Sequence, residues 1–171
     1  AGAVMQLINT VRRLLKKEFT ADTEYYYKDV FIFPILITHD HQYDVPGFNY
    51  LINEWFQDEL LNLQEEGLFI HHIKPLTVIN IDSIIYNQIG LSQNIPLHDV
   101  IRLYIEQIKI IPTLKFNSHE EYKEYRMSKL IPFSIFIDKY FFKEGIWKAP
   151  PIFDLVAPAL FKEEYEKTNV A

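Results

Sequence analysis

The segment from Val30 to Asp40 is apolar at nearly every position as far as Thr38. β-Branched and aromatic side chains dominate it, and it lacks the polar alternation of a strand that faces water on one side. Such a run predicts a strand covered on both faces, inside a sheet flanked by helices. Polar residues follow at its end, which is where open α/β sheets bind their ligands.

Helical spacing of apolar residues flanks this segment on both sides. Apolar residues recur three and four positions apart from Val4 to Leu15, which predicts a helix with one buried face. A second helix is predicted to run to about Glu66, because Pro46 suits a first helical position and Gly67 can adopt the left-handed conformation that ends a helix. Its predicted apolar side consists of Phe48, Leu51, Ile52, Trp55, Phe56, Leu60 and Leu63.

A second, shorter apolar run extends from Leu76 to Ile81 and predicts another strand. Asp82 follows directly and is suited to cap a short helix over Ser83 to Gln88, which Gly90 would end. The order helix, strand, helix, strand, helix predicts parallel strands joined by right-handed crossovers.

The rest of the chain shows only helical patterns. Ser118 with Glu121 three residues later forms a predicted capping box, and Gly145 is placed to end an aromatic helix. The predicted helices start at Pro96, run from Ser118 to Lys129 and from Phe133 to Glu144, and occupy Pro158 to Lys167 after the rigid connector 148–151. We therefore predict an α/β fold, with a small, mostly parallel sheet flanked by helices and a helical C-terminal half packed on it.

Composition predicts that this pattern belongs to one folded domain. The chain has 171 residues, 49% hydrophobic and 15% aromatic, which is far from the profile of a disordered protein. We expect a single domain over 1–171, with an α/β part at 1–92 and a helical part at 93–171. The net charge of −6 argues against a chain that is basic overall and coats nucleic acid nonspecifically.

The sequence also gives expectations about the cellular compartment and about whether the chain belongs to a longer protein. The chain has no cysteine, so disulfides, cysteine-ligated zinc and a thiol nucleophile are excluded. It shows neither a run of roughly 20 apolar residues nor a signal-peptide pattern, so we expect a cytoplasmic protein with no membrane partner. Because it opens directly into a helical pattern without methionine, we expect it to be part of a longer protein.

A cluster of basic residues lies at the end of the first predicted helix. Its members are Arg12, Arg13, Lys16 and Lys17. Cations are favourable near a helix C-terminus, so we interpret the cluster as a solvated helix face. The alternative is a patch that contacts the phosphates of DNA or RNA.

The loop after the first predicted strand is rich in possible metal ligands. These are His39, Asp40, His41 and Asp44. The run is similar to the Thr-His-x-His-x-Asp-His signature of metallo-β-lactamase-fold hydrolases, but Tyr43 stands where that signature has its aspartate. We favour a polar loop that caps the next helix, and a metal-dependent hydrolase centred on His39 and His41 is the alternative.

Other motifs give weaker indications of chemistry. Glu121-x-Lys123 matches half of a metal-dependent nuclease site, but its predicted helix would separate the two side chains, so we interpret it as a solvated face. His71 and His72 precede a strand in a loop and are interpreted as surface residues. The chain contains neither a glycine-rich phosphate loop nor a Gly-x-Ser-x-Gly elbow.

The order of elements resembles the C-terminal half of a PD-(D/E)XK nuclease-like domain. The resemblance rests on Ala-Val-Met-Gln-Leu at 3–7, the apolar strand at 30–38, the long helix after it and the strand at 74–82. In some branches of that superfamily, a glutamine on the corresponding helix supports the active site. The resemblance therefore implies an auxiliary catalytic role for Gln6.

The same resemblance implies a nuclease whose catalytic carboxylates and lysine lie upstream of Ala1. This chain would then bind no cofactor itself, whereas the full-length nuclease would use magnesium to hydrolyse DNA or RNA. The runner-up hypothesis is a non-enzymatic domain that binds a protein partner or a second copy through aromatic residues of the C-terminal half. Those residues are Tyr140, Phe141, Phe142, Trp147 and Phe153, and the alternative for them is a buried core.

Overall fold

The computed structural model describes residues 2–18 and 30–145, which form seven α-helices and two strands. The elements are α1 (Gly2–Leu15), β1 (Ile35–Thr38), a 3₁₀ turn (His41–Tyr43), α2 (Phe48–Glu65), β2 (Thr77–Asn80), α3 (Ile81–Tyr86), α4 (Gln88–Gln93), α5 (Leu97–Ile108), α6 (His119–Lys129) and α7 (Phe133–Lys143). The predicted α/β fold with a helical C-terminal half is confirmed. The predicted helix from Pro158 to Lys167 lies outside the described residues.

The two strands are parallel, as predicted, and α2 connects them. Ile35 lies beside Thr77 and Thr38 lies beside Asn80 in the register of the pair. An isolated parallel bridge between Ile32 and Ile73 extends the alignment toward the amino ends. The unit β1-α2-β2 therefore brings the two carboxyl ends to one edge and the two amino ends to the other.

Helices cover β2 on both sides and divide the interior into two clusters. Leu76 and Val78 pack with buried residues of α1 and α2. Ile79 packs on the opposite side with α5 and α7, where Tyr104 and Phe133 are fully buried. Since all four residues of β2 are buried, this strand is the centre of the described core.

The expectation that the first strand is covered on both faces is only partly correct, because Leu36 packs against one cluster and Ile35 against the other but both are only partly buried. β1 has only four residues, the side chain of Ile37 is 52% exposed, and Phe31 just before the strand is 57% exposed. Within the described residues β1 has a strand neighbour on one side only, and the helices gather on β2. A continuous apolar run shows that a strand is hydrophobic, but it does not show how completely the tertiary structure covers it.

Two amide side chains of α2 close the outer edge of β2. The backbone N–H of Val78 donates to Oδ1 of Asn49 at 2.6 Å, and Nδ2 of Asn49 donates to the carbonyl of Leu76 at 3.4 Å. The N–H of Leu76 donates to Oδ1 of Asn53 at 2.8 Å. These side chains replace the backbone partners that a third strand would supply.

The start of α2 differs from the prediction. Pro46 precedes the helix, and Gly47 is the N-cap with a φ of +86°, a conformation that favours glycine. The N–H of Gly47 donates to the carbonyl of Leu130 at 2.7 Å, which ties this turn to the end of α6. Leu51 was expected on the apolar side but is 64% exposed, whereas Phe56 and Leu60 are buried as expected.

Tertiary contacts also change the helices after β2. Asn80, not Asp82, caps α3, because its side chain accepts from the N–H of Asp82 at 2.9 Å. Gly90 lies inside α4 and does not end a helix. A Cβ at Gly90 would lie 2.6 Å from Cε2 of Phe141, so the ring of α7 occupies the space of a side chain there.

Candidate functional site

Polar side chains meet at the carboxyl ends of the two strands, where sequence predicted a site. Asp40 starts the 3₁₀ turn by accepting from the backbone N–H of Gln42 at 3.0 Å and from its side chain at 2.7 Å. Asn80 starts α3 from the neighbouring strand. The loop was predicted to cap the next helix, α2. Its Asp40 instead caps the 3₁₀ turn His41–Tyr43, which belongs to the loop itself.

His41 lies between the two strand ends. Its Nε2 is 3.1 Å from Oδ2 of Asp82, and its Nδ1 is 3.4 Å from Nδ2 of Asn80. Both ring nitrogens therefore have protein partners, and a metal ion would have to replace one of them. Residues 2–18 and 30–145 contain no group of three His, Asp or Glu side chains that could hold a metal ion.

The basic cluster of α1 is partly neutralised by the fold. Arg12 donates to both carboxylate oxygens of Glu66, at 2.8 and 3.2 Å, and the hydrogen bond from Arg12 lowers the pKa of Glu66. Arg13, Lys16 and Lys17 are exposed. Phosphate contact by Arg12 would compete with this bidentate pair.

Gln6, the predicted auxiliary catalytic residue, and the Glu121-x-Lys123 half-motif, which we interpreted as a solvated face, are exposed on helices. Gln6 is exposed on α1, and its backbone carbonyl accepts from Oγ1 of Thr10 at 2.9 Å. Glu121 and Lys123 lie on α6, as the capping pattern predicted, and Oγ of Ser118 accepts from the N–H of Glu121. The nuclease half-motif is therefore on a helix and not on a strand.

A cluster of rings, which we call the aromatic platform, lies at the opposite end of the strand pair. It consists of Phe31, Phe69, His71, His72 and Lys74. The rings of Phe31 and His72 stack with centroids 4.9 Å apart and an interplanar angle of 24°. Phe69 contacts both histidines edge-on, at 4.8 and 5.5 Å. Nζ of Lys74 lies 4.7 Å from the centre of the Phe31 ring.

Backbone hydrogen bonds hold the two halves of the aromatic platform together. The N–H of Ile32 donates to the carbonyl of His72 at 3.0 Å, and the N–H of Lys74 donates to the carbonyl of Ile32 at 2.8 Å. This bridge places residue 31 beside residue 72 just before both strands begin. The platform is therefore positioned by the strand pair, although its side chains belong to loops.

The exposed rings and the cation together suit a particular kind of ligand. Phe31 is 57% exposed and Phe69 is 39% exposed, so both rings offer surface to solvent. Aromatic rings provide stacking surfaces for nucleobases, and a neighbouring lysine can contact a phosphate. The arrangement is therefore suited to a chain of unpaired nucleotides.

Sequence reasoning identified only part of the aromatic platform. His71 and His72 were interpreted as surface residues, whereas Phe31 was assigned to a doubly covered strand. The closeness of Phe69, His71, His72 and Lys74 within six residues is visible in the sequence. The pairing of Phe31 with His72 is not visible there, because it depends on the register of the strands.

The aromatic residues near the C-terminal end of the described chain divide between core and surface. Phe141 is buried and Tyr140 is half-buried, which agrees with the core interpretation for these two. Phe142, in contrast, is 80% exposed. Trp147 and Phe153 lie outside the described residues.

Comparisons with protein-family models, curated proteins and solved structures gave no match to this chain. In the part of the chain that the structure describes, every helix is too short or too polar to cross a bilayer.

Proposed function

We propose that this chain is a nucleic-acid-binding part of a nuclease-like protein and that it holds a single strand of DNA or RNA on the aromatic platform. In such a protein, magnesium and the carboxylates that bind it would come from outside this chain. The contribution of this chain is to position the strand, since phosphate and stacking contacts fix how a strand lies on a protein.

The stack of Phe31 on His72, with Lys74 over the same phenyl ring, is the observation that carries the proposal. Stacking of a base on an exposed aromatic side chain contributes about 1–3 kcal/mol. It requires an open base face, which duplex DNA does not offer in its interior. The proposal therefore specifies an unpaired strand.

The charge of the chain supports binding by stacking more than by phosphate neutralisation. The net charge is −6, and Arg12 is already paired with Glu66. Each phosphate that a protein neutralises on a single strand contributes a slope of about −0.7 to the dependence of log K on log salt. With Lys74 as the cation of the platform, we expect a slope of about −0.7, which is shallow for a nucleic-acid-binding protein.

The experiment is fluorescence anisotropy with a labelled twelve-residue oligothymidylate and its RNA counterpart at low salt. Phe31→Ala should weaken binding about tenfold, because the base loses its stacking surface. Phe142→Ala is the matched control, since Phe142 is an even more exposed phenylalanine on α7, and it should leave affinity unchanged. Equal affinity of the Phe31→Ala variant and the parent protein, or equal affinity for duplex and single strand, would contradict the proposal.

Phe142 supports the second candidate function, an interaction domain that binds a second copy of itself. A phenylalanine that is 80% exposed at the end of an aromatic helix is a common feature of protein interfaces. Sedimentation velocity should then show a dimer at micromolar concentration that Phe142→Ser converts to a monomer. A monomer in the parent protein would rule this candidate out.

A further inference from the structure

A cavity of about 490 Å³ opens between α2, the end of α5 and α6. Ligand pockets of proteins have volumes of about 300–1,000 Å³, so this one suits a small molecule. Pro75, Ile105 and Ile108 form an apolar wall, and Tyr50 adds an aromatic ring. The cavity can therefore bury the body of an apolar ligand.

Charged side chains surround this apolar wall unequally. Lys74, Lys109 and Arg126 supply three cations, whereas Glu54 and Glu106 supply two carboxylates. Lys109 and Glu106 form a long ion pair, with 4.0 Å between Nζ and Oε2, and both are largely exposed. The lining therefore has an excess of positive charge.

The other two cations of the lining, Arg126 and Lys74, lie near aromatic rings and not near carboxylates. The guanidinium of Arg126 lies 5.5 Å from the centre of the Tyr50 ring, and Lys74 lies over Phe31. Among the described residues, neither forms an ion pair within 4 Å. A guanidinium over an aromatic ring is preorganised to bind an anionic oxygen and to contact a flat group.

We infer that the cavity binds a small organic anion with a flat apolar body, such as an aromatic carboxylate, sulfonate or phosphate ester. The anionic group meets Arg126, and the body lies against Tyr50, Pro75 and Ile105. This inference does not depend on the proposed nucleic-acid function, since only Lys74 belongs to both the cavity and the aromatic platform.

The probe is 2-naphthalenesulfonate, measured by isothermal titration calorimetry beside its neutral analogue 2-naphthalenemethanol. We expect one binding site, with the alcohol binding at least about tenfold more weakly because charge-assisted hydrogen bonds are lost. Arg126→Gln should weaken sulfonate binding by about the same factor. Ile105→Trp should abolish it, because the larger ring fills the cavity.

Arg102→Gln is the matched control, because Arg102 lies on the exposed side of α5 and pairs with Asp99. Failure of the sulfonate to bind, unchanged binding by the Arg126→Gln variant, or equal binding of sulfonate and alcohol would overturn the inference. If the Ile105→Trp variant does not fold, the Arg126→Gln variant alone tests the inference. Arg126 lines the cavity and is not part of the buried core, so this variant should fold. Each of these outcomes is independent of the oligonucleotide assay with Phe31→Ala.

The same chemistry is present in a nucleotide at the end of a bound strand. The occupant could be a free small molecule or a nucleotide of a bound strand. A competition experiment between 2-naphthalenesulfonate and the oligothymidylate distinguishes these two occupants. Displacement of the probe identifies a nucleotide of the strand as the occupant, and simultaneous binding identifies a free small molecule. Both results support an anion site at Arg126.

Discussion

The two ends of the strand pair use their side chains in different ways. At the carboxyl end, Asp40, His41, Asn80 and Asp82 bond to one another and to backbone groups that start the next elements. At the amino end, the rings of the aromatic platform contact each other, and Phe31, Phe69 and His71 are exposed whereas His72 is half-buried. A ligand at the carboxyl end has to compete with hydrogen bonds that hold the fold, whereas a ligand at the amino end has to compete with stacking and cation–π contacts between side chains.

This difference predicts opposite effects of mutation at the two ends. Substitutions at the carboxyl end should lower the free energy of unfolding. Substitutions at the amino end should lower the affinity for the oligonucleotide. Urea denaturation measures the first property, and oligonucleotide anisotropy measures the second.

The largest loss of stability is expected for Asn80→Ala. Asn80 is 2% exposed and its side chain caps α3, so its loss removes a cap and leaves polar groups of a buried region without a partner. We expect about 2 kcal/mol of destabilisation in urea denaturation. Asn94→Ala, at an exposed asparagine, should change stability by less than about 0.5 kcal/mol. Equal free energies of unfolding of the two variants would show that the Asn80 side chain does not stabilise the fold.

A smaller loss is expected for Asp40→Ala. The carboxylate accepts from the N–H of Gln42 and starts a turn of only three residues on the surface. We expect about 1 kcal/mol of destabilisation, also in urea. Asp40→Asn should retain most of the stability, because the amide oxygen can accept the same hydrogen bond. A loss by Asp40→Asn as large as that of Asp40→Ala would contradict the capping role.

Phe31→Ala should have a still smaller effect on stability. More than half of the Phe31 surface is exposed, so little apolar area returns to water when the ring is removed. We expect a change of about 0.5 kcal/mol, although the same variant should lose oligonucleotide affinity about tenfold. Destabilisation comparable to that of Asn80→Ala would show that the two ends do not differ.

The smallest effect concerns the pair of Arg12 and Glu66, which extends the comparison to the basic cluster of α1. The hydrogen bond from Arg12 holds the pKa of Glu66 below its ordinary value. The pair therefore contributes stability above the unfolded pKa of about 4.3, and the contribution is lost as the pH falls through the lowered folded value. In Arg12→Gln, an NMR titration should find the pKa of Glu66 raised toward its ordinary value. No change in that pKa would contradict the pairing.

Local patterns in the sequence were sufficient to predict most helices. The apolar spacing from Val4 to Leu15 and the cap at Ser118 are set by neighbours within four residues, and α1 and α6 form as predicted. Gly67 and Gly145 adopt positive φ just after α2 and α7, again as predicted. These features depend on local geometry, which a sequence displays directly.

Features that depend on distant residues were not predictable in the same way. Position 90 has no space for a side chain because the ring of Phe141 lies beside it, and these residues are fifty-one positions apart (141 − 90). The exposure of Ile37 depends on which strand the helices cover. For the candidate site, the sequence predicted the polar loop at Asp40. It did not predict the contact of Phe31 with His72, because that contact depends on the register of the two strands.

The amides of Asn49 and Asn53 limit how the sheet can grow. They occupy the positions along β2 that the backbone of another strand would need. In the part of the chain that the structure describes, the other edge of the sheet is that of β1, so an additional strand from an inserted segment or from another molecule would pair there. Edge-to-edge aggregation through β2 is blocked by two side chains that also fix α2 on the sheet.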